Sequence, residues 1–387
     1  MEIFEVKDKL SIAHFGQVLS LIYKNDKNYI PHLNQDIDKV FDPKKNKLFE
    51  DGKAIRYILK SNDGQVIGRI AAFVNAKTAH TFAQPTGGIG FFECIDNQEA
   101  ANLLFDSGKN WLLKQGMEAM DGPINFGDKN MFWGCLTYNF TDMNSYGMNY
   151  NPEYYQTLFE SYGFGTYFEQ FCYKRDIYLP AQPIFVRKYN LMMRNPEYKI
   201  ANIRGRKLSE VGEEFRQVYN GAWGGHDGFK EMTHEAGQKL IQALKPALDP
   251  DIIIFVYFQG KPIAFYINIP ELNEIFKFVN GEMNLFGKLK FLYHKWRHTP
   301  KTMVGIVFGV IREFQGQGVE GAMIKFAEDT IVHFDRYYET VITWIGDFNP
   351  KMLKVTDSLG GYRYRTLKTF RYLFDRNKPF ERCPIIE

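Results

Sequence analysis

The chain of 387 residues has little of what would staple or anchor it. Its four cysteines, Cys94, Cys135, Cys172 and Cys383, lie far apart with no Cys-x-x-Cys pair. That spacing excludes a zinc knuckle or a disulfide framework and favours a reducing, cytoplasmic setting. Long hydrophobic runs are missing: stretches such as Ile252 to Phe258 are far too short to span a bilayer, so no membrane span is expected. The opening Met-Glu-Ile-Phe-Glu-Val-Lys-Asp-Lys lacks the basic start and apolar core of a signal peptide. A formal net charge of +3 gives no argument for DNA. His234, His294 and His298 lack the paired carboxylates or the His-Glu-x-x-His spacing of a zinc site, so no metal is expected, and no Gly-x-Ser-x-Gly elbow marks a serine nucleophile. What remains is a soluble intracellular protein with 45% hydrophobic and 24% charged residues, ample for packed cores. The length exceeds what one core usually serves, so two domains of roughly 200 residues each are expected.

The most informative stretch runs from Met303 to Phe334. A β-type run, Met303 to Ile311, leads into Arg312-Glu-Phe-Gln315-Gly316-Gln317-Gly318-Val319 and then a segment with Ala322, Met323, Phe326, Ala327, Thr330, Ile331 and Phe334 at helical spacing. A strand feeding a glycine-turned helix start is an anion cradle: the glycines turn backbone N–H groups inward, and the first unpaired amides of the helix add their dipole. No Gly-Lys-Ser/Thr follows, so it is not a Walker loop, and the three-glycine dinucleotide fingerprint is absent. The same turn would also serve as an ordinary strand-to-helix connection.

The chain repeats itself. Asn151-Pro-Glu-Tyr-Tyr-Gln-Thr-Leu-Phe-Glu-Ser-Tyr-Gly163-Phe164 aligns without a gap on Asn349-Pro-Lys-Met-Leu-Lys-Val-Thr-Asp-Ser-Leu-Gly-Gly361-Tyr362, and the turn-like Gly64-Gln-Val-Ile-Gly matches Gly260-Lys-Pro-Ile-Ala at nearly the same shift. Each half carries a strand and then an amphipathic helix between these anchors: Gly88 to Cys94 with Gln98 to Gln115, and Met303 to Ile311 with Val319 to Phe334. The boundary falls at Leu179-Pro-Ala-Gln-Pro183-Ile. Read from the residues, this is a duplicated α/β (α+β) unit: residues 1–180, a linker at 181–197, and residues 198–387.

The Gln315-Gly-Gln-Gly318-Val run resembles the acyl-CoA loop of the GNAT (Gcn5-related) N-acetyltransferase superfamily, with Glu320 standing where the pattern has Gly or Ala. The resemblance implies two GNAT-like domains, each a mixed, mostly antiparallel sheet flanked by helices. It implies that acetyl-CoA or another acyl-CoA is the co-substrate, held in the second domain by Val310, Ile311, Arg312, Gln315, Gly316, Gln317, Gly318 and Val319, with Asn349 beside the pantetheine. The family's tyrosine acid, seven residues after that Asn, is replaced by Thr356. In the first half the matching turn, Glu93-Cys-Ile-Asp96-Asn97-Gln98-Glu99, has no glycine and offers carboxylates and a side-chain cap to the helix start, which repels a diphosphate and marks the N-terminal copy as degenerate.

Attack of an amine on a thioester needs a proton acceptor and an oxyanion donor. Candidate bases are Asp347 past the fifth strand, Glu271 in Ile-Pro-Glu-Leu-Asn, and His226 in Trp223-Gly-Gly-His-Asp-Gly. Each has a plainer reading, respectively a turn cap, a solvated loop carboxylate and a loop hydrogen bond. Asp121-Gly-Pro-Ile-Asn125-Phe-Gly-Asp reads either as a lining of the cleft between domains or as a plain turn. The stretch Leu285 to His298 mixes bases and aromatics; it reads first as a helix with its apolar side buried, and otherwise as a surface for membrane or RNA. Lys288, Lys290, Lys295 or Arg297 would also cover an anionic acyl-CoA. The leading expectation is an N-acyltransferase acting on a small-molecule amine or amino-acid-like acceptor. The alternatives are a non-catalytic tandem GNAT fold that binds a metabolite or partner, and Fem-type aminoacyl transfer from charged tRNA, supported only by that basic run.

Overall fold

Both turns expected at Gly64 and Gly260 form, with φ of +84° and +79°, values that a residue with a Cβ avoids. They join strands in a computed structural model that describes residues 1–224, 231–298 and 300–386. In chain order the elements are β1 (Glu2–Glu5), α1 (Lys9–Ile22), α2 (Asn34–Phe41), β2 (Lys53–Lys60), β3 (Val66–Val74), β4 (Thr86–Cys94), α3 (Gln98–Lys114), β5 (Ala119–Gly122), β6 (Cys135–Tyr138), α4 (Tyr155–Tyr162) and β7 (Gly165–Asp176). There follow α5 (Pro183–Met192), β8 (Tyr198–Asn202), α6 (Leu208–Trp223), α7 (His234–Leu244), β9 (Ile253–Phe258), β10 (Lys261–Pro270), α8 (Asn273–Phe276), α9 (Leu285–Arg297), β11 (Thr302–Val310), α10 (Val319–Phe334), β12 (Glu339–Gly346), α11 (Pro350–Ser358) and β13 (Tyr362–Leu373).

The strands form one mixed, mostly antiparallel sheet in the order β1-β2-β3-β4-β5-β13-β7-β12-β11-β10-β9-β8, with β6 added on β13. Among the described residues only β4–β5 and β11–β12 are parallel, and the crossovers that such pairs require are α3 and α10. The order is the same when read inward from either edge, with one exchange at the centre. The last strand of the second half, β13, lies beside β5 of the first, and β7 lies beside β12 of the second. The sheet is therefore one continuous layer, in which no clean split into two domains is resolved.

Neighbouring residues of the inner strands feed cores on opposite faces, as the two-residue strand period requires. In β3, Ile70 and Ala72 join the core under α3 and α4, while Ala71 and Phe73 join the core under α1 and α2. In β9, Ile254 and Val256 pack toward α10, while Ile253 and Phe255 pack toward α6. Burial on both faces is why these strands read as unbroken apolar runs.

Two expectations change. The segment 181–197, expected as a linker, carries α5, opened by Pro183 at its first turn and packed along α10. The helix expected at Leu285 to His298 forms as α9, but its apolar side is not buried: only Gly287 and Phe291 are.

Candidate functional site

β11 and β12 pair from Thr302–Glu339 to Gly305–Ile342 and then part. Both strands are irregular at that point. Against β10 the register of β11 jumps between Ile267–Val307 and Asn268–Gly305, which makes Ile306 an extra, bulged residue. Against β7 the register of β12 shifts between Ile342 and Ile345. A bulge bends its strand and raises the local twist, so the two strands diverge and their facing edges lose ladder partners. A cavity of about 540 Å³ occupies the fork. Its apolar walls include Ile306, Phe308, Ile342 and Trp344 from the strands, Ile324 and Ile331 from α10, and Met352 and Val355 from α11 with Leu359 just past it. The chemistry of the wall is therefore mainly hydrocarbon, with free backbone edges along one line.

Polar groups collect at the point of divergence. Tyr266 lies across Gly305, where an added Cβ would come 3.7 Å from its Cε2, and its ring meets Phe308 edge-on at 5.7 Å. Burial raises the Tyr266 phenol above its ordinary value, with Thr340, Arg175 and Asn268 acting in the opposite sense. The first half of the chain also reaches this cavity: Asn130 lines it, and Trp344 Nε1 donates to the Lys129 carbonyl at 3.3 Å.

Past β11, Arg312–Phe314 make one 3₁₀ turn, and Gly316 and Gly318 adopt φ of +74° and +91°. The glutamine side chains shape this loop from within: Gln315 Nε2 donates to the Val310 carbonyl at 2.9 Å and Gln317 Nε2 to the Glu313 carbonyl at 2.6 Å. Ile311 N donates to the Ile263 carbonyl at 2.9 Å, anchoring the loop to β10. Among the described residues no side chain caps α10, so its first amides have no side-chain acceptor there, and Glu320 stands in the same turn. The stem of Lys188 of α5 packs over Gly318, where a Cβ would come 2.5 Å from its Cδ.

The equivalent gap in the first half is filled. β4 and β5 pair from Thr86–Ala119 to Gly88–Asp121, after which Ile124 N donates to the Ile89 carbonyl at 2.8 Å. A Cβ on Gly90 would meet the Ile124 carbonyl oxygen at 1.9 Å, so the segment after Asp121 occupies the space beside β4. The helix start is occupied as well: Asn97 Oδ1 accepts the Ala100 N–H at 2.8 Å. Glu93 is buried on Tyr155 (2.7 Å) and Tyr23 (2.9 Å).

Of the residues singled out from sequence, Asn349 lines the cavity, while its side chain caps α11 by accepting the Met352 N–H at 3.2 Å. Asp347 is ion-paired with Arg382 and is not among the cavity-lining residues. Glu271 is buried rather than solvated, its Oε1 accepting the Tyr146 and Asn273 amides at 2.9 Å each, and burial pushes its carboxyl up to about 6. It too stands apart from the cavity wall. His226 lies outside the described residues. Sequence reasoning passed over Tyr266, Lys188, Arg175 and Asn130. A tyrosine inside an alternating strand carries no local mark, and Lys188 sits in what reads as a linker. Among the described residues there is no cluster of three or more metal-ligating side chains, and no helix is long and apolar enough to cross a membrane.

No family model matches the chain. It is 23% identical to a bacterial ceramide synthase of Caulobacter vibrioides over 378 residues, covering 96% of this chain and 97% of that one. It is 22% identical to Protein YghO of Escherichia coli K12, covering 94% and 93%. Among solved structures, a tandem GNAT protein from the clavulanic acid biosynthesis pathway superposes with a TM-score of 0.54 at 10% identity, covering 98% of this chain and 99% of that one. The Gcn5-related glucosamine N-acetyltransferase region of a fungal multi-domain β-N-acetylglucosaminidase gives 0.53 at 11% identity, with this chain covering 38% of that much longer one. The forked parallel pair, its crossover helix and these superpositions together show a fold that strongly resembles the GNAT acyltransferases.

Proposed function

We propose that the chain is an acyl-CoA-dependent N-acyltransferase with a long-chain amine as acceptor, and that the second half, residues 198–387, holds the acyl-CoA. The observation that carries this reading is the open fork between β11 and β12, an apolar cavity bordered by unpaired backbone edges. An extended pantetheine arm can pair with such an edge as an added strand. The uncapped start of α10 and Lys188 suit the diphosphate. A bulge N–H near Ile306 would polarise the thioester carbonyl and hold the oxyanion formed when the amine attacks. Tyr266, kept protonated by its burial, would protonate the departing thiolate in place of the missing tyrosine at Thr356. The first half, residues 1–180, is in this reading non-catalytic and contributes the Asn130 side of the wall.

The acceptor class rests on two supports. A ceramide is the amide of a long-chain amino alcohol, so the named activity of the Caulobacter relative is amide formation of this kind. The hydrocarbon wall also suits an acyl chain or acceptor longer than acetyl needs. The test is thiol release from acyl-CoAs of increasing chain length, with sphinganine or a short amine as acceptor. Turnover with long-chain substrates supports the reading; turnover with acetyl-CoA and short amines alone would overturn the acceptor class. The second reading, binding without turnover, is favoured by Thr356, which is buried and donates to the Met352 carbonyl at 3.0 Å. Acyl-CoA binding measured by calorimetry with no thiol release from any acceptor would select it.

A further inference from the structure

α9 turns its apolar side to water. Trp296 is 82% exposed, Phe286 73% and Leu285 71%, and Leu289, Leu292 and Tyr293 are exposed with them. At about 100° per residue these six fall within an arc of roughly 120°. The opposite side holds Gly287, Phe291 and His294, which pack on the protein: Phe291 stacks on Phe276 at 5.4 Å and His294 on Phe278 at 3.9 Å. On the same wheel Lys288 and Lys295 border the apolar stripe on one side, and Lys290 and Arg297 on the other. The helix contains no Asp or Glu. None of the four cations meets a carboxylate among the described residues, and Lys295 Nζ donates to the Pro246 carbonyl.

We propose that α9 is an interfacial helix that lies in the surface of an anionic lipid bilayer, with its stripe among the acyl chains and Lys288, Lys290 and Arg297 at the headgroup phosphates. An exposed stripe of large apolar side chains marks an interaction surface, and its charged borders choose the occupant. A second copy docked stripe to stripe would bring two such sets of cations together with no counter-charge between them. A nucleic acid would satisfy the cations and leave the stripe in water. A bilayer with anionic headgroups satisfies both parts at the depth each requires. The inference stands apart from the acyl-transfer reading. If both hold, a short connection through Pro300 and Lys301 joins the adsorbed helix to β11, the strand that walls the cavity.

Flotation of the full chain with phosphatidylcholine vesicles, with and without roughly 30% phosphatidylglycerol, tests this. The protein is expected to float with the anionic vesicles, and less at high salt. The Leu289→Glu/Trp296→Glu variant should lose binding by about tenfold or more with an unchanged melting temperature, because both side chains are exposed. Lys288→Glu/Arg297→Glu should lose the preference for anionic lipid. Failure of the parent protein to float, or undiminished flotation of the apolar variant, would overturn the proposal. So would sedimentation showing an oligomer that the apolar variant dissociates while no vesicle is bound, or RNA binding without vesicle binding.

Discussion

Arg371 on β13 grips Asp121 on β5 across 250 residues of sequence, Nε donating to Oδ1 at 2.6 Å and Nη2 to Oδ2 at 2.8 Å. Both side chains are buried, and the guanidinium carbon lies 3.6 Å from the centre of the Tyr167 ring and 4.6 Å from that of the Phe82 ring. Removing one partner strands the other charge out of water, so Asp121→Ala should cost about 3–5 kcal/mol, read as a fall in melting temperature. A paired apolar replacement, Asp121→Leu with Arg371→Met, should recover most of that loss. Equal losses in the single and double variants would show that packing, not the charge pair, sets the cost.

Glu271 gives a stability signal with a definite sign. Its carboxyl is raised from 4.5 to about 6 in the folded chain, so the fold prefers it protonated. Its contribution is fully present below about pH 4.5 and is lost as pH rises through about 6, a difference of about 2 kcal/mol. Glu271→Gln keeps the acceptor for the Tyr146 and Asn273 amides and removes the charge. The variant should melt higher than the parent at pH 7.5, with the gap closing toward pH 4.5. A gap independent of pH would mean that Glu271 does not titrate in this range.

Gly318 occupies a left-handed conformation under Lys188, so Gly318→Trp would both strain the loop and displace the lysine. Calorimetric titration should show acyl-CoA binding abolished in that variant. Lys188→Glu should weaken binding by about tenfold, with a smaller deficit at high salt. Unchanged affinity in both would move the diphosphate away from α10.

Tyr266→Phe should lower kcat by about 10²-fold with little change in KM if the phenol protonates the thiolate. Ile306→Trp, at the bulge and on the cavity wall, should shift the preferred acyl chain toward shorter lengths in a competition between acyl-CoAs. An equal loss across all chain lengths would place the acyl tail elsewhere.

The sequence revealed those parts of the fold whose signals are local. Val319 to Phe334 carries its helix in the three-and-four spacing of Ala322, Met323, Ala327 and Ile331, and the structure begins and ends α10 at those same residues. Gly64 and Gly260 announce their turns by residue type, and Asp96-Asn97 announces a helix cap, which Asn97 supplies. Pairing between distant strands leaves no such trace. β5 is four residues long, and nothing in Ala119 to Gly122 says that its neighbour is Phe370 to Leu373. α9 shows a related limit: periodicity finds an apolar stripe in Leu285, Leu289, Leu292 and Trp296 but cannot say which side meets the protein. The site divides in the same way. The glycine loop is a short motif and legible, whereas the fork depends on register shifts at Ile306 and at Thr343–Trp344 that only paired strands display.

The exchanged strands also order events in time. A chain that has left the ribosome only as far as β7 has built β5 but not the strand that covers it. Its Asp121 carboxylate then has no guanidinium, and the β5 edge is open to any other strand. Vectorial folding therefore cannot finish the first half as an independent unit. The final step waits for β13, and a nascent chain stalled before Tyr362 would be the species most in need of a chaperone.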